Sequence, residues 1–110
     1  MDEVRVPLAE DPARAATRWA PRLRALGDET RLRLALLIAA KPRTVKDLEA
    51  ATGLTQALVS YHLKPLREQG LVTATPVGRS NRYELCCDRV VGLVAALGQL
   101  ASSSIPSDQA

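Results

Sequence analysis

A chain of 110 residues has material for one domain and one modest hydrophobic core. Its apolar share of 46% is ordinary, but there is no Phe, and Trp19, Tyr61 and Tyr83 are the only aromatics, so that core must be aliphatic. Two adjacent cysteines exclude a disulfide framework, the longest uncharged apolar run (Leu34 to Ala40) is too short to span a bilayer, and a net charge of +3 leaves an anionic partner open.

The opening residues, MDEVRVPLAEDP, show no firm period and lack the basic-then-apolar layout of a secretion signal. Residues 1–11 are expected to form a flexible N-terminus, and the protein to reside in the cytoplasm with no membrane partner. Asp11 followed by Pro12 is a good helix start: a side-chain cap, then a residue with no N–H to satisfy. A first helix is predicted from about Pro12 to Leu26, stopped by Gly27, and Pro21 inside it predicts a kink or break near Ala20. Asp28 then caps ETRLRLALLIAA, in which Leu32, Ala35, Leu36 and Ala39 recur at helical spacing. Lys41-Pro42 ends that helix.

Thr44 opens a short third helix, VKDLEAAT, with Asp47 where a capping box usually has Glu. Val45, Leu48 and Ala51 form its expected inner stripe, and Gly53 is a natural C-terminal cap. Thr55 caps a fourth helix that runs to about Gln69 and is closed by Gly70. Two short helices joined by about three residues that include Gly are the layout of a helix-turn-helix. Pro65 in the fourth helix predicts a bend that tilts its last turn, Leu66 to Gln69. The period then changes. LVTATPV is rich in β-branched residues, GRSN is a turn cluster, and RYELC is extended again, which predicts a hairpin with Arg79 and Arg82 at its tip around Ser80 and Asn81. From Asp88 the helical period returns, with Val90, Val91, Val94, Leu97 and Ala101 along one face and Leu93 and Leu100 beside it. The tail, residues 102–110, is polar, carries a proline and is expected to be disordered. The fold class is mainly α with a small β-hairpin (α+β), in one domain over residues 12–101.

On the fourth helix Val59, Leu63 and Leu66 lie at i, i+4 and i+7 and make the buried stripe. Gln56, Ala57, Ser60, Tyr61 and Lys64 fall opposite, with Arg67 one turn further. Small residues, hydrogen-bonding groups and cations are what a DNA major groove accepts, although an ordinary solvated helix face can have the same composition. The charge is concentrated here: residues 41–82 hold seven Lys or Arg against three acids, whereas residues 83–110 hold one against three. A basic hairpin directly after a helix-turn-helix adds a wing whose Arg79 and Arg82 can meet phosphates.

The runs ALGDETRLRLALLIA, TVKDLEAATGLTQALVSYHLKPLREQGLV and VGRSNRYEL closely resemble the ArsR/SmtB family of bacterial winged helix-turn-helix transcription regulators, over roughly residues 20–100. The most specific pieces are the L-G-D-x-T-R run at Leu26 to Arg31, the S-x-H-L run at Ser60 to Leu63, and the LREQGLV stop. The resemblance implies about five helices, a two-stranded wing, and a homodimer through the first and last helices. Trp19, Leu23, Val90, Val91, Val94, Leu97 and Ala101 are then expected at the interface. It implies a repressor that binds a palindromic, double-stranded operator, associated with the nucleoid when bound. The expected DNA-contacting residues are Thr44, Lys46, Thr55, Gln56, Ala57, Ser60, Tyr61, His62, Lys64, Arg67, Arg79, Ser80, Asn81 and Arg82. Two alternatives stand beside this: an effector-independent regulator, repressor or activator, and a winged-helix module that docks another regulatory protein without binding DNA. No motif places a nucleophile with a base, so no enzyme is expected, and His62 has no second histidine to form a metal-ligand pair.

Family members often respond to a metal ion, through a cysteine pair in the third helix or through Asp, His and Glu on the last. VKDLEAAT has no cysteine and VVGLVAALGQLAS has no His or Glu, so neither set is carried over. Cys86, Cys87 and Asp88 remain as candidates for a thiophilic ion (arsenite, cadmium or zinc) or a redox switch; nickel would find few nitrogen ligands. The plain alternative is that Cys86 is a small buried hydrophobe at a strand end.

Overall fold

In the computed structural model, which describes residues 11–104 (Cys87 and residues 102–104 as backbone only), five helices and three strands alternate along the chain. Helix α1 spans Pro12–Leu26, α2 Glu29–Ala40, α3 Val45–Thr52, α4 Gln56–Glu68 and α5 Cys87–Ser104, while β1 is Arg43–Thr44, β2 Val72–Val77 and β3 Ser80–Leu85. The flexible N-terminus expected for residues 1–11 lies outside the described residues except for Asp11.

Each of the first four helices starts on a side-chain cap. The carboxylates of Asp11 and Asp28 accept from the backbone N–H of Arg14 (3.2 Å) and Arg31 (3.1 Å). Thr44 and Asp47 complete a reciprocal capping box, and the Thr55 hydroxyl accepts from Leu58 N–H at 3.2 Å. Four helix C-termini in turn receive an arginine from elsewhere. Arg31 donates to the carbonyls of Ala25 (2.6 Å) and Arg24 (3.1 Å) at the end of α1, and Arg43 to Leu37 (3.2 Å) at the end of α2. Arg33 donates to Ala51 (3.3 Å) of α3, and Arg89 to Gln69 (3.4 Å) at the end of α4. These cations add a donor to carbonyls of the last turns, at the negative end of each helix dipole.

The core is aliphatic, as the composition requires: Leu34, Leu48, Val59, Leu63, Leu66 and Leu71 are fully buried, and Tyr83 is the aromatic that joins them. Of the four residues read at helical spacing on α2, only Ala35 is buried. Leu34, Ala35 and Ile38 face inward, while Leu32, Ala39 and Leu36 (63% exposed) face out. That helix is nearly all apolar from Leu34 onward, so spacing alone does not select a face. On α3 Leu48 is buried and Val45 half-buried as expected, but Ala51 is exposed, and Thr52 turns in to bond Leu48 O at 2.7 Å.

Neither proline interrupts its helix. The break expected at Pro21 is absent, since α1 runs on to Leu26, and α4 continues past Pro65 to Glu68. Both prolines line one cleft of about 200 Å³ between α1 and α4. Helix α4 then stops on paired bonds from Leu71 N–H to Leu66 O and from Gly70 N–H to Arg67 O, both 2.9 Å, with Gly70 at φ +70°.

The hairpin β2–β3 is the two-stranded wing expected, and a short strand not expected, β1, joins its sheet. Arg43 and Thr44 pair antiparallel with Tyr83 and Arg82, giving the order β1-β3-β2. A two-residue strand leaves no period to read. Val77 pairs with Ser80, so Gly78-Arg79 is the whole hairpin loop, with its positive φ on the glycine. Helix α5 continues to Ser104, so residues 102–104 of the expected disordered tail are helical, and residues 105–110 lie outside the described residues. No helix among the described residues is long and apolar enough to cross a membrane.

Candidate nucleic-acid interface

Burial of Val59, Leu63 and Leu66 against α2 and α3 orients α4. The opposite side is left in water, and it carries Gln56, Ala57, Ser60, Tyr61, Lys64 and Arg67, all exposed. Thr55 at the helix start uses an oxygen lone pair as the cap and keeps its O–H to donate. Lys64 Nζ is 3.9 Å from the Glu68 carboxylate, an exposed i, i+4 pair that costs little to open. One residue of this surface escaped the sequence reading. Leu58 is 45% exposed beside Tyr61, and its signal was that it falls out of phase with the Val59/Leu63/Leu66 stripe.

His62 is not on that face. It is half-buried and turned toward the start of α2, where its Nδ1 lies 3.8 Å from Asp28 Oδ2 and makes no hydrogen bond. Its ring meets Tyr61 edge-on at 5.1 Å. The N–H of Arg31 chiefly, then the charges of Arg31 and His62, hold the Asp28 carboxyl below the usual aspartate range.

The sheet brings the second group of residues together. Arg82 sits between Thr44 and Thr75 on the neighbouring strands, on the face opposite buried Tyr83. Arg79 occupies the loop, and Ser80, Asn81 and Arg82 are exposed beyond it. Through β1 this wing is tied to the N-terminus of α3, where Lys46 is exposed and the Thr44 hydroxyl is committed to Asp47 N–H at 3.1 Å. Hydrogen bonds from Thr44, backbone N–H first and hydroxyl second, lower the Asp47 pKa.

A second surface is apolar. Between α1 and α5 runs a groove of about 740 Å³, lined by Ala15, Ala16, Trp19, Leu23, Leu93, Ala96, Leu97 and Leu100 among others. Trp19 packs so closely on Gly92 that a Cβ there would stand 2.7 Å from its ring. Val91 (64%), Val94 (61%), Leu97 and Ala101 are exposed along α5. Val90, expected at the dimer interface, is half-buried and packs against the core.

Cys86 is half-buried between β3 and α5, with its N–H on Leu71 O at 2.9 Å; Cys87 opens α5, and Asp88 is exposed. Among the described residues no three His, Cys, Asp or Glu side chains gather as an ion would need.

Residues 28–74 match the model of the bacterial regulatory protein, arsR family. The chain is 36% identical over 88 residues to the HTH-type transcriptional regulator NmtR of Mycobacterium tuberculosis, covering 80% of this chain and 73% of that one. It is 32% identical over 79 residues to the arsenical resistance operon repressor of Bacillus subtilis, covering 71% and 75%. Its backbone matches the homodimeric winged helix-turn-helix DNA-binding domain from Mycobacterium bovis with a TM-score of 0.67 at 26% identity, over 90% of this chain and 92% of that one. The chain belongs to the ArsR family of bacterial winged helix-turn-helix transcription regulators.

Proposed function

We propose that the protein is a cytoplasmic repressor that binds a palindromic DNA operator as a two-fold dimer, residues 12–101 forming one DNA-binding and dimerisation domain. The observation that carries this is the exposed polar and cationic face of α4, flanked by a basic wing. Thr55, Gln56, Ala57, Ser60 and Tyr61 enter the major groove, where amide and hydroxyl groups meet base edges. Thr44, Lys46, Lys64, Arg67, Arg79, Ser80, Asn81 and Arg82 meet the sugar-phosphate backbone. His62 supports α4 from behind and does not enter the groove. The apolar α1/α5 groove with Val91, Val94 and Leu97 is the dimer seam, a reading supported by the homodimeric neighbour.

Selection of an operator from random duplexes, followed by anisotropy titration over a range of salt, tests the reading. Binding to a palindrome with a steep salt slope is expected. Failure to retain any duplex would favour the protein-docking alternative.

Control of binding is assigned to the Cys86-Cys87 thiols beside Asp88, where α5 begins. The arsenical-resistance relative supports a thiophilic ion, arsenite, cadmium or zinc before nickel, held between protomers, and oxidation of the thiols is the other arm. Titrating the DNA complex with each ion and with an oxidant, using wild type and the double variant Cys86→Ser/Cys87→Ser, separates these. No response in any arm leaves an effector-independent regulator.

A further inference from the structure

The end of α4 and the start of α5 are joined at one place. Gly70 lies under the side chain of Arg89: a Cβ on Gly70 would stand 2.7 Å from its Cδ, 2.8 Å from Nε and 2.9 Å from Cζ. From there Arg89 donates to Gln69 O at 3.4 Å, the C-cap carbonyl of α4. One residue further along, Cys86 N–H donates to Leu71 O at 2.9 Å, and Val90 N–H closes the turn onto Cys86 O at 3.2 Å. The first turn of α5 is therefore strapped to both sides of Gly70. Arginine suits the place because its flat guanidinium can lie over bare backbone while one N–H reaches a carbonyl at the negative helix end. A side chain at Gly70 would displace it.

We propose that Arg89 is a positioning residue for operator binding: it clamps the recognition helix to α5 and so fixes the separation of the two recognition helices in the dimer. This rests on the dimeric DNA-binding reading above, in which α5 lies at the two-fold seam and α4 in the groove. The groove-facing residues stand at the opposite end of α4, from Thr55 to Tyr61. Loss of the clamp therefore leaves each protomer competent for its own half-site and removes the fixed spacing between two.

The test uses the full chain and three duplexes: the selected palindrome, the same palindrome with its centre lengthened by one base pair, and a single half-site. Arg89→Ala is expected to weaken binding to the palindrome by about five- to tenfold while half-site and lengthened-site affinities stay within about twofold. Discrimination between the two spacings collapses, and the dimer mass is unchanged. Gly70→Asn, which keeps a residue tolerant of positive φ but puts a side chain under the guanidinium, should reproduce this with Arg89 intact. Arg89→Lys, with the charge but not the flat fork, should fall between wild type and Ala. Equal weakening on half-site and palindrome, with a salt slope lower by about one, would make Arg89 a phosphate contact and overturn the proposal. Unchanged variants on all three duplexes would overturn it too. Wild type that binds none of them removes the functional reading and the clamp with it.

Discussion

His62 Nδ1 stands 3.8 Å from Asp28 Oδ2, so the middle of the recognition helix faces the N-cap of α2. The two residues come from separate runs that resemble the family, L-G-D-x-T-R and S-x-H-L, and the fold makes one joint of them. Asp28 there serves the Arg31 N–H and faces the imidazole at once.

Acid should loosen this joint. Asp28 is held below the usual aspartate range, so as pH falls the unfolded chain takes up the proton first. Its contribution is complete above the ordinary value of about 4 and is lost as pH drops through the lowered folded value. Asp28→Asn keeps an acceptor for Arg31 N–H but not the charge. Urea midpoints at neutral pH should be lower for the variant, and the two proteins should converge below about pH 4. A gap that stays constant into strong acid would contradict the assignment.

Arg31 makes the second half of the same corner, with two bonds into the last carbonyls of α1. Arg31→Ala should destabilise the protein by about 1–3 kcal/mol with an unchanged denaturant slope, the cost of two charge-assisted bonds to the last carbonyls of α1. Lysine should restore less than half, because one ammonium does not reproduce the fork. Full rescue by lysine would mean that charge near the helix end, and not bond geometry, matters.

What could be read from the sequence was what is local. Asp11, Asp28, Thr44 and Thr55 announced their helices because a cap acts on N–H groups two or three residues away. The stripe of α4 was legible because its polar and apolar residues alternate cleanly. What failed was set by distant partners. The inward face of α2, the strand β1 and the unbroken helix at Pro21 depend on what packs against them. His62 lies within the S-x-H-L run, and which way it turns is set by the position of α2, whose Asp28 it faces at 3.8 Å. The arginines were the most misleading residues. Arg31, Arg33, Arg43 and Arg89 have no structural role that spacing reveals, yet each donates to the end of a helix other than its own element.

The cations left over should divide their work from the polar residues of α4. Arg79 in the hairpin loop has no base-reading geometry built around it, so Arg79→Ala should weaken all duplexes alike and lower the salt slope by about one. Gln56→Ala should instead relax preference at one operator position by about 1–3 kcal/mol with the slope unchanged. Leu58→Ala, which removes an exposed apolar group beside Tyr61, should reduce preference for a thymine methyl. Competition against a panel of single-base operator variants reads all three, and equal loss of specificity from Arg79 and Gln56 would refute the division.

The apolar side of α5 offers a sharp contrast within one turn. Val94 is 61% exposed and Leu93 is 4% exposed, so adjacent residues face water and core. In a two-fold dimer a glutamate at Val94 places like charges in a seam that excludes water, and neither would have a cation designed to meet it. Val94→Glu should therefore remain folded, with an ordinary thermal transition, but sediment as a monomer and lose its preference for a palindrome over a half-site. Leu93→Glu buries an unpaired charge inside the protomer and should fail to fold cooperatively. Analytical ultracentrifugation at micromolar concentration distinguishes the outcomes. A Val94→Glu protein that is still dimeric would move the seam elsewhere and leave the exposed face of α5 unexplained.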